Sequence, residues 1–106
     1  MTLQIFRVIV RGTFDHLDDT NREALLASAA DHDVTRAAFR ADGTFTYDTR
    51  LVGFSFRYEL RHDGDDAESA VVERARALAE ASLAAMDIGS RDLRVQAINM
   101  ADVWKR

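Results

Sequence analysis

The sequence predicts an α+β domain in which an antiparallel sheet of four to five strands carries two helices on one face. Three observations predict it. The stretch Leu51 to His62, LVGFSFRYELRH, sets Val52, Phe54, Phe56, Tyr58 and Leu60 on one side of a period-2 repeat and Gly53, Ser55, Arg57, Glu59 and Arg61 on the other. A strand patterned this way is covered on one face only. From Ala67 to Met86, Val71, Ala75, Leu78, Ala79, Ser82, Leu83 and Met86 recur with a helical period, in an alanine-rich segment. Finally, the elements follow one another as strand, helix, two or three strands, helix, strand.

Each element has its own warrant. Residues 3 to 11 alternate Phe6, Val8 and Val10 against Ile5, Arg7, Ile9 and Arg11, a first strand ended by Gly12 and the turn-rich FDHLDD. Thr20 and Glu23 have capping-box spacing, and Leu25, Leu26, Ala29 and Ala30 form the apolar stripe of a helix from about Asp19 to Ala30. The next segment, VTRAAFRADGTFTYDTR, reads as extended: Asp42-Gly43 between Phe39 and Phe45 signals a hairpin, and Phe45 and Tyr47 alternate with threonines. Ala37 and Ala38 leave residues 34 to 41 open between strand and helix. The long strand then runs out in RHDGDD. Asp65, Asp66 and Glu68 suit the positive end of the second helix, and Gly89 follows its end. Asp92 to Met100 makes a last strand with Leu93, Val95 and Ala97 inward and Arg94, Gln96, Ile98 and Met100 outward, before a short tail carrying Trp104.

In a single domain of 106 residues, this order fits a ferredoxin-like sandwich, two interleaved split strand-helix-strand units. The absence of cysteine excludes disulfides and thiolate metal ligands. The apolar N-terminal run is short and broken by Arg7 and Arg11, so it reads as a strand, neither signal peptide nor membrane span, and a cytoplasmic location is expected. Eighteen acidic against 14 basic residues, a net charge of -4, disfavour a general binder of nucleic acid or anionic membranes. Lys105 is the one lysine, an arginine bias that reads as the codon usage of a GC-rich genome.

The runs FDHLDD, REALLASAADHDV and FRADGTFTYD, with the closing DLRVQAINM, resemble a small family of uncharacterised proteins common in actinobacteria and known only as a domain of unknown function. The resemblance covers most of the chain. It implies no activity and no site residues.

The uncovered sheet face is expected to collect Ile5, Arg7, Ile9, Arg11, Arg57, Glu59, Arg61, Arg94, Gln96, Ile98 and Met100. Three roles compete for it. A solvated face would leave isoleucines in water. RNA recognition needs outward aromatic rings, whereas Phe6, Phe54, Phe56 and Tyr58 point inward. Self-association would bury the isoleucines and pair arginines with Glu59 or Asp48 across a two-fold axis, so the expected partner is a second copy, through Ile5, Arg7, Ile9, Arg57, Glu59, Arg94 and Ile98.

His16, His32 and His62 each stand beside an aspartate: Asp15, Asp31 with Asp33, and Asp63. His32 and His62 are expected at the same edge of the sandwich, with Asp65 also near, but no ligand spacing marks a metal site and no phosphate loop or nucleophile elbow is present. Tyr47, Tyr58, His32 and His62 are the candidate ligand-binding residues, with no cofactor expected. The expected function is a dimeric small-molecule-binding or accessory protein. The alternative is a cofactor-independent enzyme of the dimeric α+β barrel type, acting on a hydrophobic or aromatic metabolite in a pocket between sheet and helices.

Overall fold

A computed structural model describes residues 3–104; the Trp104 side chain and the tail beyond it lie outside the described residues. The elements are β1 (Leu3–Asp15), α1 (Asp19–Ala27), β2 (Thr44–Tyr47), β3 (Gly53–Asp63), α2 (Ala67–Ala85), β4 (Gly89–Asn99) and α3 (Met100–Trp104), with 3₁₀ turns at Ala29–His32 and Val34–Arg36. The four strands lie in the order β2-β3-β1-β4, every pair antiparallel. That order, with α1 and α2 on one face, is a ferredoxin-like sandwich. No helix among the described residues is long and apolar enough to cross a membrane.

The register shows why these residues make one core. Phe6, Val8 and Val10 on β1 stand opposite Leu60, Tyr58 and Phe56 on β3, and all six are buried. On α2 the buried positions are Ala67, Val71, Ala75, Ala79 and Leu83, an unbroken step of four. A ridge of that spacing runs oblique to the helix axis, and its small residues let α2 lie close on β1, β3 and β4. Leu78, expected on the apolar stripe, falls off this ridge and stays exposed. The helix stops at a Schellman turn: Asp87 takes φ 56°, its N–H donates to the Ala84 carbonyl, and the Ile88 N–H donates to the Leu83 carbonyl at 2.9 Å. Gly89 is thus the first residue of β4, where a side chain would run into the Asp15 carbonyl.

Several expectations need correction. Strand β1 continues through Gly12 to Asp15, because Gly12 faces Phe54 and Leu93 so closely that a Cβ would lie 2.7 Å from each. The first helix is capped by Asp18, whose carboxylate accepts from the Asn21 amide at 2.7 Å, and it ends at Ala27; Ala29 and Ala30 belong to a 3₁₀ turn and Leu26 is exposed. Residues 34 to 41 form no strand: after the second 3₁₀ turn, Arg40 makes one isolated parallel bridge to Tyr58. The chain then turns at Asp42-Gly43 and continues as β2 along the same edge of β3, so the sheet has four strands. Gly43, at φ 84°, is required there because a Cβ would meet the Tyr58 ring. In the turn before β3, Leu51 adopts φ 55°. This breaks the alternation, sending Leu51 into the core and leaving Val52 60% exposed. Met100, assigned outward, is buried, since the chain leaves β4 there and starts α3 against β1.

Candidate functional site

Above β2 and β3 the inner face is a floor of aromatic rings. Phe45 stacks on Phe56 at 4.7 Å between centroids, Phe56 on Tyr58 at 6.1 Å, and Phe14 abuts Phe54 at 4.9 Å. His32, carried by the first 3₁₀ turn, stacks on Tyr47 at 5.2 Å and meets Phe45 edge-on at 5.6 Å. The Tyr47 hydroxyl donates to the Leu25 carbonyl at 2.7 Å, tying α1 to the floor. His32 Nδ1 lies 3.0 Å from the Ser28 carbonyl and 3.4 Å from the Tyr47 oxygen. Both contacts suit an Nδ1–H donor, which in the neutral ring leaves a lone pair on Nε2.

Because α1 buries only Leu25, it stands off this floor. Two open clefts lie over the floor, one of them walled by α1. One, of about 280 Å³, lies among Asn21, Leu25, Ser28, Tyr47 and Ile88; the other, of about 350 Å³, lies among Gly43, Phe56, Ser82 and Ala85; both are also lined by His32, Phe45 and Met86. Tyr58 lies under this region, 1% exposed, and its hydroxyl makes no hydrogen bond of good geometry among the described residues, with the Ser82 hydroxyl in loose contact. Burial pushes its phenol up to about 12, against which the neighbouring Ser82 hydroxyl pulls. Tyr47 is raised too, by burial and then by the charge of Asp31.

On the opposite face, a single transverse row crosses all four strands: Thr46 opposite Ser55, Ser55 opposite Arg11, and Arg11 opposite Arg94. Thr46 and Ser55 are buried, their hydroxyl oxygens 2.8 Å apart, and Arg57 Nη1 donates to both at 3.1 Å. Beside the row is a cleft of about 420 Å³ that also reaches Asp33, Asp48 and Arg50. The backbone amide and then the hydroxyl of Thr35 hold the Asp33 carboxyl below the usual carboxylate range, and hydrogen bonds from the Arg50 side chain do the same for Asp48.

The predicted site residues separate into distinct places. Tyr47 and His32 are in contact, and Tyr58 lies along the same aromatic floor. His62 is elsewhere, at the far end of β3, with Nε2 3.2 Å from Asp66 Oδ1. The expected approach of His32 to His62 does not occur because α1, nine residues long, spans only about 14 Å while β3 runs on for about 36 Å. His16 is solvent-exposed beside Asp15. Among the described residues no group of three or more histidines and carboxylates is placed to share a metal ion. On the other face, Ile5, Arg7, Ile9, Arg57, Glu59, Arg94 and Ile98 alternate outward as expected, but Glu59 is paired with Arg7 at 3.6 Å and Asp48 with Arg50 at 2.8 Å. Phe39 covers the Arg7 guanidinium, 5.1 Å from ring centre to Cζ.

The family of unknown function DUF6204 matches residues 1–106. The chain belongs to that family. No curated protein and no solved structure matches the chain. The family therefore brings no assigned chemistry to the clefts. Met86, Ser82 and the Thr46–Ser55 pair line or adjoin these clefts without being singled out by sequence. The first two were visible only as members of a helical stripe, and the pair only as polar positions of two separate strands.

Proposed function

We propose that the chain is a small-molecule-binding protein whose ligand is an apolar, ring-bearing molecule seated between α1, α2 and the aromatic floor of β2 and β3. The observation that carries this reading is the junction of the two clefts at His32, Phe45 and Met86. Their volumes are of the order that holds small ligands, and ring walls with a few polar groups suit such a molecule. Phe45 and the His32 ring offer faces for stacking. The lone pair on His32 Nε2 and the Ser82 hydroxyl supply an acceptor and a donor to orient a polar substituent.

The test is titration of the full chain with indole and 2-naphthol, followed by the NMR signals of the Met86 methyl and the His32 ring. Saturable shifts confined to these and neighbouring groups are expected. Met86→Trp, which fills the junction, is expected to abolish them while leaving the circular dichroism spectrum unchanged. Shifts scattered over the surface, or persisting in the folded Met86→Trp variant, would show that the cleft is not the site.

A further inference from the structure

We propose that the opposite face holds a second site, for an oxyanion, a carboxylate or phosphate group on a small molecule, bound along the row Thr46, Ser55, Arg11 and Arg94. Arg11 and Arg94 are direct cross-strand neighbours, where like charges repel. Arg91, opposite Thr13, and Arg57 lie on the same face. Among the described residues neither Arg11 nor Arg94 has a carboxylate partner; the polar contact of Arg11 is the Gln96 side-chain oxygen at 3.4 Å. Of the two carboxylates lining the cleft, Asp48 is paired with Arg50, while Asp33 keeps its charge, held by the amide and hydroxyl of Thr35 and in contact with neither Arg11 nor Arg94.

The proton inventory points the same way. One of the Thr46 and Ser55 hydroxyls donates to the other, and both oxygens accept from Arg57. The second hydroxyl proton has no acceptor among the described residues. The row thus presents guanidinium N–H groups and an O–H, a donor set matched to the lone pairs of an oxyanion.

The backbone is irregular at this place. Between Arg11 and Thr13 β1 has one residue, Gly12, while between Arg91 and Arg94 β4 has two, Asp92 and Leu93, with Asp92 at φ 57°. This β-bulge sets Arg91 and Arg94 on the same face although regular alternation would part them.

A second copy of the chain is a poorer occupant. Two-fold packing of this face on itself would bring arginines against arginines, and Glu59 and Asp48, the carboxylates that could relieve them, already serve Arg7 and Arg50.

The test uses the full chain with sodium phosphate or acetate, against sodium chloride at equal ionic strength. Thermal melts and the arginine Nε–H NMR signals are followed. Phosphate or acetate is expected to raise the melting temperature above that in chloride and to move the Arg11 and Arg94 signals saturably; which of them acts at lower concentration distinguishes the two oxyanions. Arg94→Gln should weaken the response about tenfold or more, the loss of one charge-assisted donor fork. It should melt no lower than the parent without anion, because it relieves a cross-strand repulsion. Arg22→Gln on α1, which removes the same charge elsewhere, should bind as the parent does. Equal responses to chloride and the oxyanions, or an Arg94→Gln variant that binds like the parent, would overturn the proposal. So would light scattering that shows this face joined to a second copy, or a single-stranded oligonucleotide that binds where phosphate and acetate do not. Because the groups followed are not those of the aromatic clefts, failure of one reading leaves the other intact.

Discussion

Two tyrosines of the core invite one substitution with opposite outcomes. Tyr58 and Tyr47 are both buried, yet the Tyr47 hydroxyl donates to the Leu25 carbonyl at 2.7 Å while that of Tyr58 makes no hydrogen bond of good geometry among the described residues, only a loose contact with the Ser82 hydroxyl. A buried hydroxyl without a hydrogen bond carries an uncompensated desolvation cost of about 1–3 kcal/mol. Tyr58→Phe removes that cost and keeps the ring stacked on Phe56, so a gain of about 1 kcal/mol is expected after allowing for the lost contacts of the oxygen. For a domain of this size that gain raises the melting temperature by about 4 °C. Tyr47→Phe strands the Leu25 carbonyl and should lose about 1–2 kcal/mol. Urea unfolding of the three proteins, with equal slopes, reads both changes. If Tyr58→Phe costs more than about 1 kcal/mol, its hydroxyl is satisfied and the reasoning fails.

Three further outcomes are expected. The Tyr58 phenol is raised by burial to about 12, so the folded state favours its neutral form; this stabilisation is complete below the ordinary tyrosine value near 10 and is lost as pH rises from there through 12, by up to about 3 kcal/mol. Urea unfolding at pH 9 and 11.5 should show that loss in the parent and a smaller one in Tyr58→Phe; equal losses would count against the assignment. Phe56→Ala, at a 3% exposed position packed against Phe45 and Tyr58, should destabilise by about 3–5 kcal/mol, and a loss below about 1 would mean that the faces of the sheet have been misread. Asp87→Gly should stabilise by about 0.5–1 kcal/mol, since the Schellman turn holds this residue in a left-handed conformation that glycine adopts without strain, and calorimetry showing a lower melting temperature would refute it.

What could be read from the sequence was whatever a short-range period encodes. The alternation from Phe54 to Leu60 and the recurrence along α2 each report one face of one element, and the order of elements supplied the topology. What could not be read depended on a partner outside the window. Leu51 reverses the inside-outside pattern through a left-handed turn that its own residue type disfavours. Arg40 and β2 occupy one edge of β3 instead of forming a hairpin, because a single turn at Gly43 realigns the chain beneath the Tyr58 ring. For the candidate site, Tyr47 and His32 were within reach of inference as residues near the end of the first helical segment. Placing His62 required the relative lengths of α1 and β3. The counter-ions of the open face were also hidden, since whether Glu59 and Asp48 are free for a partner depends on Arg7 and Arg50 having claimed them.

Strand β4 closes one edge of the sheet, and an open edge of 11 residues is a template on which a stray strand from another molecule could register. Its bulge shifts the ladder by one residue midway, so an incoming straight strand could match one half of the edge and not both. The arginines at 91 and 94 charge the half nearest Gly89. What remains exposed to templating is the other half, Val95 to Asn99, which ends where α3 begins. The colloidal behaviour of the protein should therefore be governed by that short uncharged stretch.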